Sequence, residues 1–79
     1  MREIQTGKTY RHFKGNVYKV LFIGYDANTN DTENEHKVVI YQSNHDNKIW
    51  VRDYENFASK VDKEKYPNAA QEYRFEEVD

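Results

Sequence analysis

The stretch Tyr10-Arg11-His12-Phe13-Lys14-Gly15-Asn16-Val17-Tyr18 decides how we interpret the fold. It joins an aromatic and basic segment to an apolar segment through Gly15-Asn16. Glycine and asparagine adopt positive backbone φ angles at little cost, so this pair is typical of a tight hairpin turn. The stretch therefore predicts two antiparallel strands, Thr9 to Phe13 and Val17 to Tyr25.

Outside this hairpin the pattern predicts three more strands, one short helix and a polar loop at Asp26 to Glu35. Lys37 to Gln42, Lys48 to Arg52 and Gln71 to Glu76 alternate as strands do, and the apolar residues between Tyr54 and Val61 recur at helical spacing. Five short strands, with one short helix before the last, favour a mostly β fold. We expect a small, strongly bent antiparallel sheet that closes as an SH3-like barrel, because closure hides the sheet edges.

The composition predicts one small domain, residues 1–79, with an aromatic core. Aromatic residues make up 15% of the chain, and each ring buries roughly 150–250 Å². We expect the core to include Tyr18, Phe22, Val39 and Phe75. The chain has no cysteine, which excludes disulfides and thiol catalysis. It has no apolar run near the ~20 residues of a membrane span and no signal-like start, so we expect a cytoplasmic protein without membrane contact.

The sequence repeatedly places a cation beside an aromatic ring. The first 25 residues carry five Lys or Arg against one Glu, although the net charge of the whole chain is −2. Aromatic rings stack on planar groups, and arginine offers a fork of N–H donors to phosphate or carboxylate. The candidate ligand-binding residues are Arg11, His12, Lys14, Trp50, Arg52 and Arg74, with Tyr18 and Tyr41 as neighbouring rings. The alternative is that the rings only fill the core and its rim while the cations point into solvent.

The alternation of the fourth strand determines where Trp50 lies. Residues two apart on a strand point to the same face, so Trp50 and Arg52 oppose Ile49 and Val51. If Ile49 and Val51 face the core, Trp50 lies outside with Arg52, and the binding hypotheses use this parity; with the reverse parity Trp50 belongs to the core. An exposed tryptophan beside an arginine favours a recognition surface.

The order of these motifs resembles the DUF1653 family, small bacterial and phage-type domains of unknown function. The resemblance rests on the block from Tyr10 to Gly15, on Trp50-Val51-Arg52 and on Arg74-Phe75, and it covers about residues 7–75. It implies a compact, mostly β fold and no particular reaction. The chain departs from the family pattern at Asp26-Ala27-Asn28-Thr29, where members usually carry a His-Ser-Glu-Thr-like stretch, and at Asp53, where they tend to have proline.

Enzymatic chemistry has little support in the sequence. His12, His36 and His45 lie on separate segments without metal-ligand spacing, so we predict neither a metal site nor a cofactor. No nucleophile elbow or glycine-rich phosphate loop is present. A hydrolase or transferase accessory that uses His12 as a general base ranks last among the hypotheses.

Two binding hypotheses rank above it. The first is a non-catalytic binding module whose aromatic and basic surface holds an anionic or planar ligand, either a nucleotide-like small molecule or a short nucleic acid. The second is a protein–protein interaction module that uses the same patch, because Trp, Tyr and Arg dominate protein interfaces. The sequence leaves the oligomeric state open.

Overall fold

The computed structural model describes residues 3–28 and 36–78, so most of the predicted polar loop lies outside the described part. The described elements form one antiparallel sheet in the order β4-β3-β2-β1-β5. In chain order they are β1 (Thr9–His12), β2 (Val17–Tyr25), β3 (Lys37–Ser43), β4 (Ile49–Asp53), α1 (Tyr54–Ala58) and β5 (Phe75–Val78). None of the helices within these ranges is long and apolar enough to cross a bilayer.

The predicted mostly β fold, with five antiparallel strands and a short helix before the last strand, is confirmed. The predicted closure into an SH3-like barrel is not. Closure requires the first and last strands of the order to pair, whereas β4 and β5 lie at opposite ends of the sheet. The helix α1 and part of the segment 59–74 cover one face instead, so the core forms between the sheet and this cover.

The core lies on one face of the sheet and is mostly aromatic. Its least exposed large side chains are Tyr10, Val20, Val39, Phe57 and Phe75. The α1 helix brings Phe57 to this face, and Asp53 caps its first turn by accepting a hydrogen bond from the Asn56 backbone N–H at 3.0 Å. The helix is short, but it fills the centre of the covered face.

The prediction for Phe22 is wrong, while Val39 and Phe75 are buried as expected and Tyr18 packs against the core. Phe22 is 64% exposed. The register of β2 against β3 shifts between Val20 and Phe22, so β2 advances two residues where β3 advances one. This extra residue turns Phe22 to the outer face, although simple alternation places it on the same face as Val20.

The parity of β4 on which the outer-face hypothesis relied is also wrong. Trp50 pairs with Tyr41, and Arg52 pairs with Val39. Because residues directly opposite each other point to the same face, Trp50 and Arg52 face the core side. Ile49 and Val51 lie on the outer face and are 61% and 66% exposed. Trp50 nevertheless remains 47% exposed, because β4 is the edge strand and the side chain lies at its rim.

Candidate anion-binding site

The hairpin between β1 and β2 fixes the position of His12 and Lys14. The backbone N–H of His12 donates to the Asn16 carbonyl, and that of Gly15 donates to the His12 carbonyl, each at 2.8 Å. Gly15 has a φ of 111°, which glycine adopts without a side-chain penalty. Within this turn the Lys14 backbone N–H donates to Nδ1 of His12 at 3.1 Å. The imidazole proton is therefore assigned to Nε2, which serves as a donor.

The imidazole of His12 is held between rings and surrounded by positive charge. It stacks on Phe13 with ring centroids 4.5 Å apart and meets the Phe75 ring edge-on at 4.8 Å. Burial and the positive charges of Arg52, Arg74 and Lys14 lower the pKa of His12 from 6.5 to about 4. The imidazole is consequently neutral at pH 7. The positive charges of three cations converge on its position.

Arg52 is fixed on the covered face by two hydrogen bonds. Its Nε donates to the Tyr41 hydroxyl at 3.0 Å, and its Nη1 donates to Oδ1 of Asn56 at 2.8 Å. The guanidinium carbon lies 5.2 Å from the centre of the Phe75 ring. The side chain is half-buried, so these contacts preorganise it beside the core rather than in open solvent.

Arg74 reaches the same region from the segment that precedes β5. Its backbone carbonyl accepts a hydrogen bond from the Phe13 backbone N–H at 2.9 Å, which ties this segment to the hairpin. Its Nε donates to the Ser59 hydroxyl at 3.4 Å, and its guanidinium carbon lies 6.0 Å from the Phe13 ring centre. Arg74 and His12 therefore flank the same phenylalanine.

The positive charge of this cluster is not neutralised by carboxylates of the described residues. Within residues 3–28 and 36–78 the close contacts between a basic and an acidic side chain are His36 with Asp53 and Lys60 with Glu72. Neither pair includes Lys14, Arg52 or Arg74. Uncompensated cations that lie together beside partly buried rings are costly for the fold. Such an arrangement is typical of a surface that receives an anion.

An apolar pocket lies beside the cluster. It has a volume of about 300 Å³ and is lined by Phe13, Lys65, Tyr66, Pro67, Asn68 and Ala69. The rings of Phe13 and Tyr66 meet at 4.9 Å with an angle of 61° between their planes. The Lys14 ammonium lies 5.9 Å from the Phe13 ring centre and 5.3 Å from that of Tyr66. A planar group that enters this pocket contacts aromatic walls next to a cation.

The structure brings four of the six predicted site residues together: His12, Lys14, Arg52 and Arg74. Trp50 shares their face of the sheet through its pairing with Tyr41, but its side chain lies at the rim and is half exposed. Arg11 does not belong to the cluster. It alternates with Tyr10 and His12 on β1, so its exposed side chain points to the outer face, opposite Val17 and Glu76.

Sequence reasoning did not select the residues that complete the site. Phe13 lies between the two predicted site residues His12 and Lys14. Its position at the end of the predicted first strand is the one sequence feature that could have indicated a role in the site. Tyr66 and Lys65 belong to an irregular segment without periodicity, and Asn56 lies in the short helix. These residues reach the site only through the tertiary fold, which no local pattern predicts.

The comparison with known proteins agrees with the resemblance found in the motifs. The family DUF1653, described as a protein of unknown function, matches residues 8–77. The match covers nearly the whole chain, so the chain belongs to this family. No curated protein and no solved structure matches the chain.

Proposed function

We propose that this member of the DUF1653 family is a non-catalytic binding module that holds an anionic ligand with a planar ring. The ligand is a nucleotide-like small molecule or a short nucleic acid. Both carry a phosphate group and a planar base. One observation carries the proposal: Lys14, Arg52 and Arg74 act on the neutral His12 without a carboxylate partner in the described part of the chain.

Each group has a separate role in this proposal. Arginine has five N–H donors, and Arg52 uses two of them on Tyr41 and Asn56, which leaves donors for a phosphate oxygen. The Nε2–H of His12 is a neutral hydrogen-bond donor to the oxygens of the same phosphate. The planar base enters the pocket that Phe13 and Tyr66 line and stacks on one of these rings, which meet each other edge-on. Such stacking contributes about 1–3 kcal/mol per base.

The state of His12 supports binding rather than catalysis. A general base needs an imidazole nitrogen with an available lone pair. The Lys14 backbone N–H occupies Nδ1, and Nε2 carries the proton. The lowered pKa of His12 also makes the imidazole a weak base. The residue therefore serves as a hydrogen-bond donor.

The test is an amide chemical-shift titration with AMP, with a short oligothymidylate and with inorganic phosphate. We expect shifts at His12, Lys14 and Tyr66, and weaker binding as the salt concentration rises. Loss of a hydrogen bond to a charged group costs about 1.5–3 kcal/mol, so Arg74→Gln and Arg52→Gln should each weaken binding roughly ten- to hundredfold. The stronger of the AMP and oligothymidylate responses identifies the ligand class.

Arg11→Gln is the matched control, because it removes the same charge from the opposite face of the sheet. We expect it to leave the affinity within about twofold, since a distant charge is largely screened at physiological salt. An equal loss in Arg11→Gln and Arg74→Gln would mean that binding follows net charge and not this site. Absence of shifts near His12 with all three ligands would reject the proposal.

The second candidate is a protein–protein interaction module, and the exposure of Trp50 favours it. The indole is 47% exposed on an edge strand beside Arg52, and Trp and Arg are the residues that dominate interface energies. In that case Trp50→Ala abolishes partner binding, and salt has little effect on the complex.

A further inference from the structure

The outer edge of β4 carries backbone groups that point away from the sheet. The Ser43 backbone N–H donates to the Lys48 carbonyl at 2.9 Å, which shows that Lys48 points toward β3. Backbone groups alternate in direction along an antiparallel strand. Trp50 and Arg52 therefore bond to β3, while the N–H and C=O groups of Ile49 and Val51 and the N–H of Asp53 face outward. The Asp53 carbonyl belongs to the first turn of α1. No strand in the described ranges pairs with this edge.

The side chains of this edge are apolar and exposed. Ile49, Trp50 and Val51 follow one another and are 61%, 47% and 66% exposed. The other edge strand, β5, carries Glu76 and Glu77 at its centre. Charged residues on an edge strand prevent pairing with another chain, whereas an apolar edge promotes it. The two edges of this sheet thus differ in the property that controls association.

We infer that two copies of this chain associate through β4, antiparallel, with Val51 on the two-fold axis. In this register Val51 faces Val51 of the second copy, and Ile49 faces Asp53 of the second copy, so the outward backbone groups of both strands bond to each other. Trp50 faces Arg52 of the second copy twice across the axis. Aromatic–cation pairs of this kind are favourable between neighbouring strands.

Charge separates this register from its neighbours. In a symmetric antiparallel pair the numbers of two facing residues have a constant sum, which is 102 when Val51 faces itself. This sum can change only in steps of two if the core sides of the two sheets are to stay together. A shift in one direction places Lys48 opposite Arg52 of the second copy, and a shift in the other places Arg52 opposite itself. Like charges directly opposite each other are destabilising. The register centred on Val51 avoids both and pairs all five residues of β4 with the second copy.

The outer face of the sheet supports the same arrangement. Phe22, Ile40 and Val51 form one row across β2, β3 and β4. Pairing through β4 joins this row to its symmetric copy and produces a continuous apolar row of six residues. The strand contributes only five residues per copy, compared with roughly 20–30 residues per side in a standard interface. We therefore expect reversible association that increases with protein concentration.

The dimer also extends the proposed ligand site. Trp50 of the second copy lies on the core side beside Arg52, at the open rim of the cation cluster. Each site then has a ring from its partner, and ligand affinity should rise with dimerisation. This last consequence rests on the proposed function, whereas the dimer itself does not.

Sedimentation velocity over a range of protein concentrations tests the dimer without any ligand. We expect the wild-type chain to shift from monomer to dimer, and Val51→Lys to remain monomeric because it places two ammonium groups at the axis. Phe22→Lys is the matched control: it adds the same charge to the same face, but on an interior strand. Loss of the dimer in both variants would indicate face-to-face packing, and a wild-type monomer at all concentrations would overturn the inference.

A single cysteine tests the register, because the chain has none of its own. The two Val51 Cα atoms of the paired strands lie about 5.5 Å apart, within the roughly 4.4–6.8 Å of a disulfide. The two Ile49 Cα atoms are separated by four residues along the strand, or about 13 Å. Under mild oxidation Val51→Cys should form a covalent dimer rapidly and Ile49→Cys should not. Equal cross-linking of the two exposed positions would overturn the register.

Both experiments remain interpretable if the ligand proposal fails. The dimer is measured in the absence of nucleotide. The ligand titration is carried out on the wild type and on Val51→Lys at the same protein concentration, and the two ligand affinities are compared. A dimer without ligand binding, or ligand binding by a chain that stays monomeric, separates the two proposals.

Discussion

Phe75 connects the core of this small protein to the cation cluster. Its ring stacks on Phe57 with centroids 3.9 Å apart and planes 5° from parallel. Tyr18 and Tyr41 meet the same ring edge-on at 5.8 and 5.7 Å, and the Arg52 guanidinium lies over it. Loss of this ring removes packing from the sheet, from α1 and from the site together.

We predict that Phe75→Ala lowers the free energy of unfolding by about 3–5 kcal/mol, the usual cost of truncating a buried phenylalanine. This is a large share of the roughly 5–15 kcal/mol available to a small domain. Urea denaturation measures the loss. Phe22→Ala is the matched control, because Phe22 is 64% exposed and its truncation should change stability by less than about 0.5 kcal/mol. Similar losses at the two positions would contradict the assignment of the core face.

The residue scale also shows where sequence patterns are sufficient. Val39 and Phe75 are predicted to be buried and are buried. Val39 lies on β3, whose alternation is regular, and Phe75 keeps its predicted face as the first residue of β5. Phe22 fails because the one-residue register shift after Val20 reverses the alternation. Such a shift depends on how two strands pair and leaves no mark in either strand alone.

At the scale of elements, the hairpin between β1 and β2 is the most predictable part of the fold. The Gly15-Asn16 pair locates the turn to within two residues. The hydrogen bond from the Gly15 N–H to the His12 carbonyl closes the turn around Phe13 and Lys14, and of the predicted pair only Gly15 has a positive φ, at 111°. The last strand is less predictable: it begins at Phe75, four residues later than Gln71. The Glu76 carboxylate accepts hydrogen bonds from the Glu72 and Tyr73 backbone N–H groups, which otherwise pair in a strand.

We predict that Gly15→Ala destabilises the protein by about 1–2 kcal/mol, because an L residue at this φ is strained. The added Cβ meets nothing within 4 Å, so the effect is purely conformational. Gly24→Ala is the matched control: it has no positive φ, and its Cβ makes only ordinary contacts at 3.9 and 4.0 Å with Ile40 and Val38. Thermal or urea unfolding of both variants measures the difference. A neutral Gly15→Ala would mean that the turn relaxes to another conformation.

The whole molecule determines the site, and this explains why the sequence identified it only in part. The cations come from the hairpin, from β4 and from the segment before β5, and the fold brings them to one face. The basic excess of the first 25 residues suggested a local basic face, yet Arg11 lies on the opposite side of the sheet. The sequence predicted which residue types form the cluster. Which individual residues belong to it depends on the parity of the strands and on irregular segments.

The burial of His12 and the positive charges around it make the stability of the protein dependent on pH. In the folded state the pKa of His12 lies at about 4, below its ordinary value of 6.5, because of burial and the charges of Arg52, Arg74 and Lys14. As the pH falls below 6.5, His12 becomes protonated in the unfolded chain, whereas in the folded chain it stays neutral down to about pH 4. The contribution of neutral His12 to stability is therefore complete above pH 6.5 and is lost as the pH falls toward 4.

His12→Asn isolates this contribution from the carboxylates that titrate in the same range. The Asn side-chain oxygen can accept the Lys14 backbone N–H in place of Nδ1, and it does not titrate. We predict that the wild type loses stability relative to His12→Asn as the pH is lowered from 6.5 to about 4. Urea denaturation of both proteins at several pH values gives this difference, and the imidazole proton shifts of His12 give its pKa directly. Parallel stability curves, together with a His12 midpoint near 6.5, would show that the three cations do not act on one place, and the proposed anion site would lose its electrostatic basis.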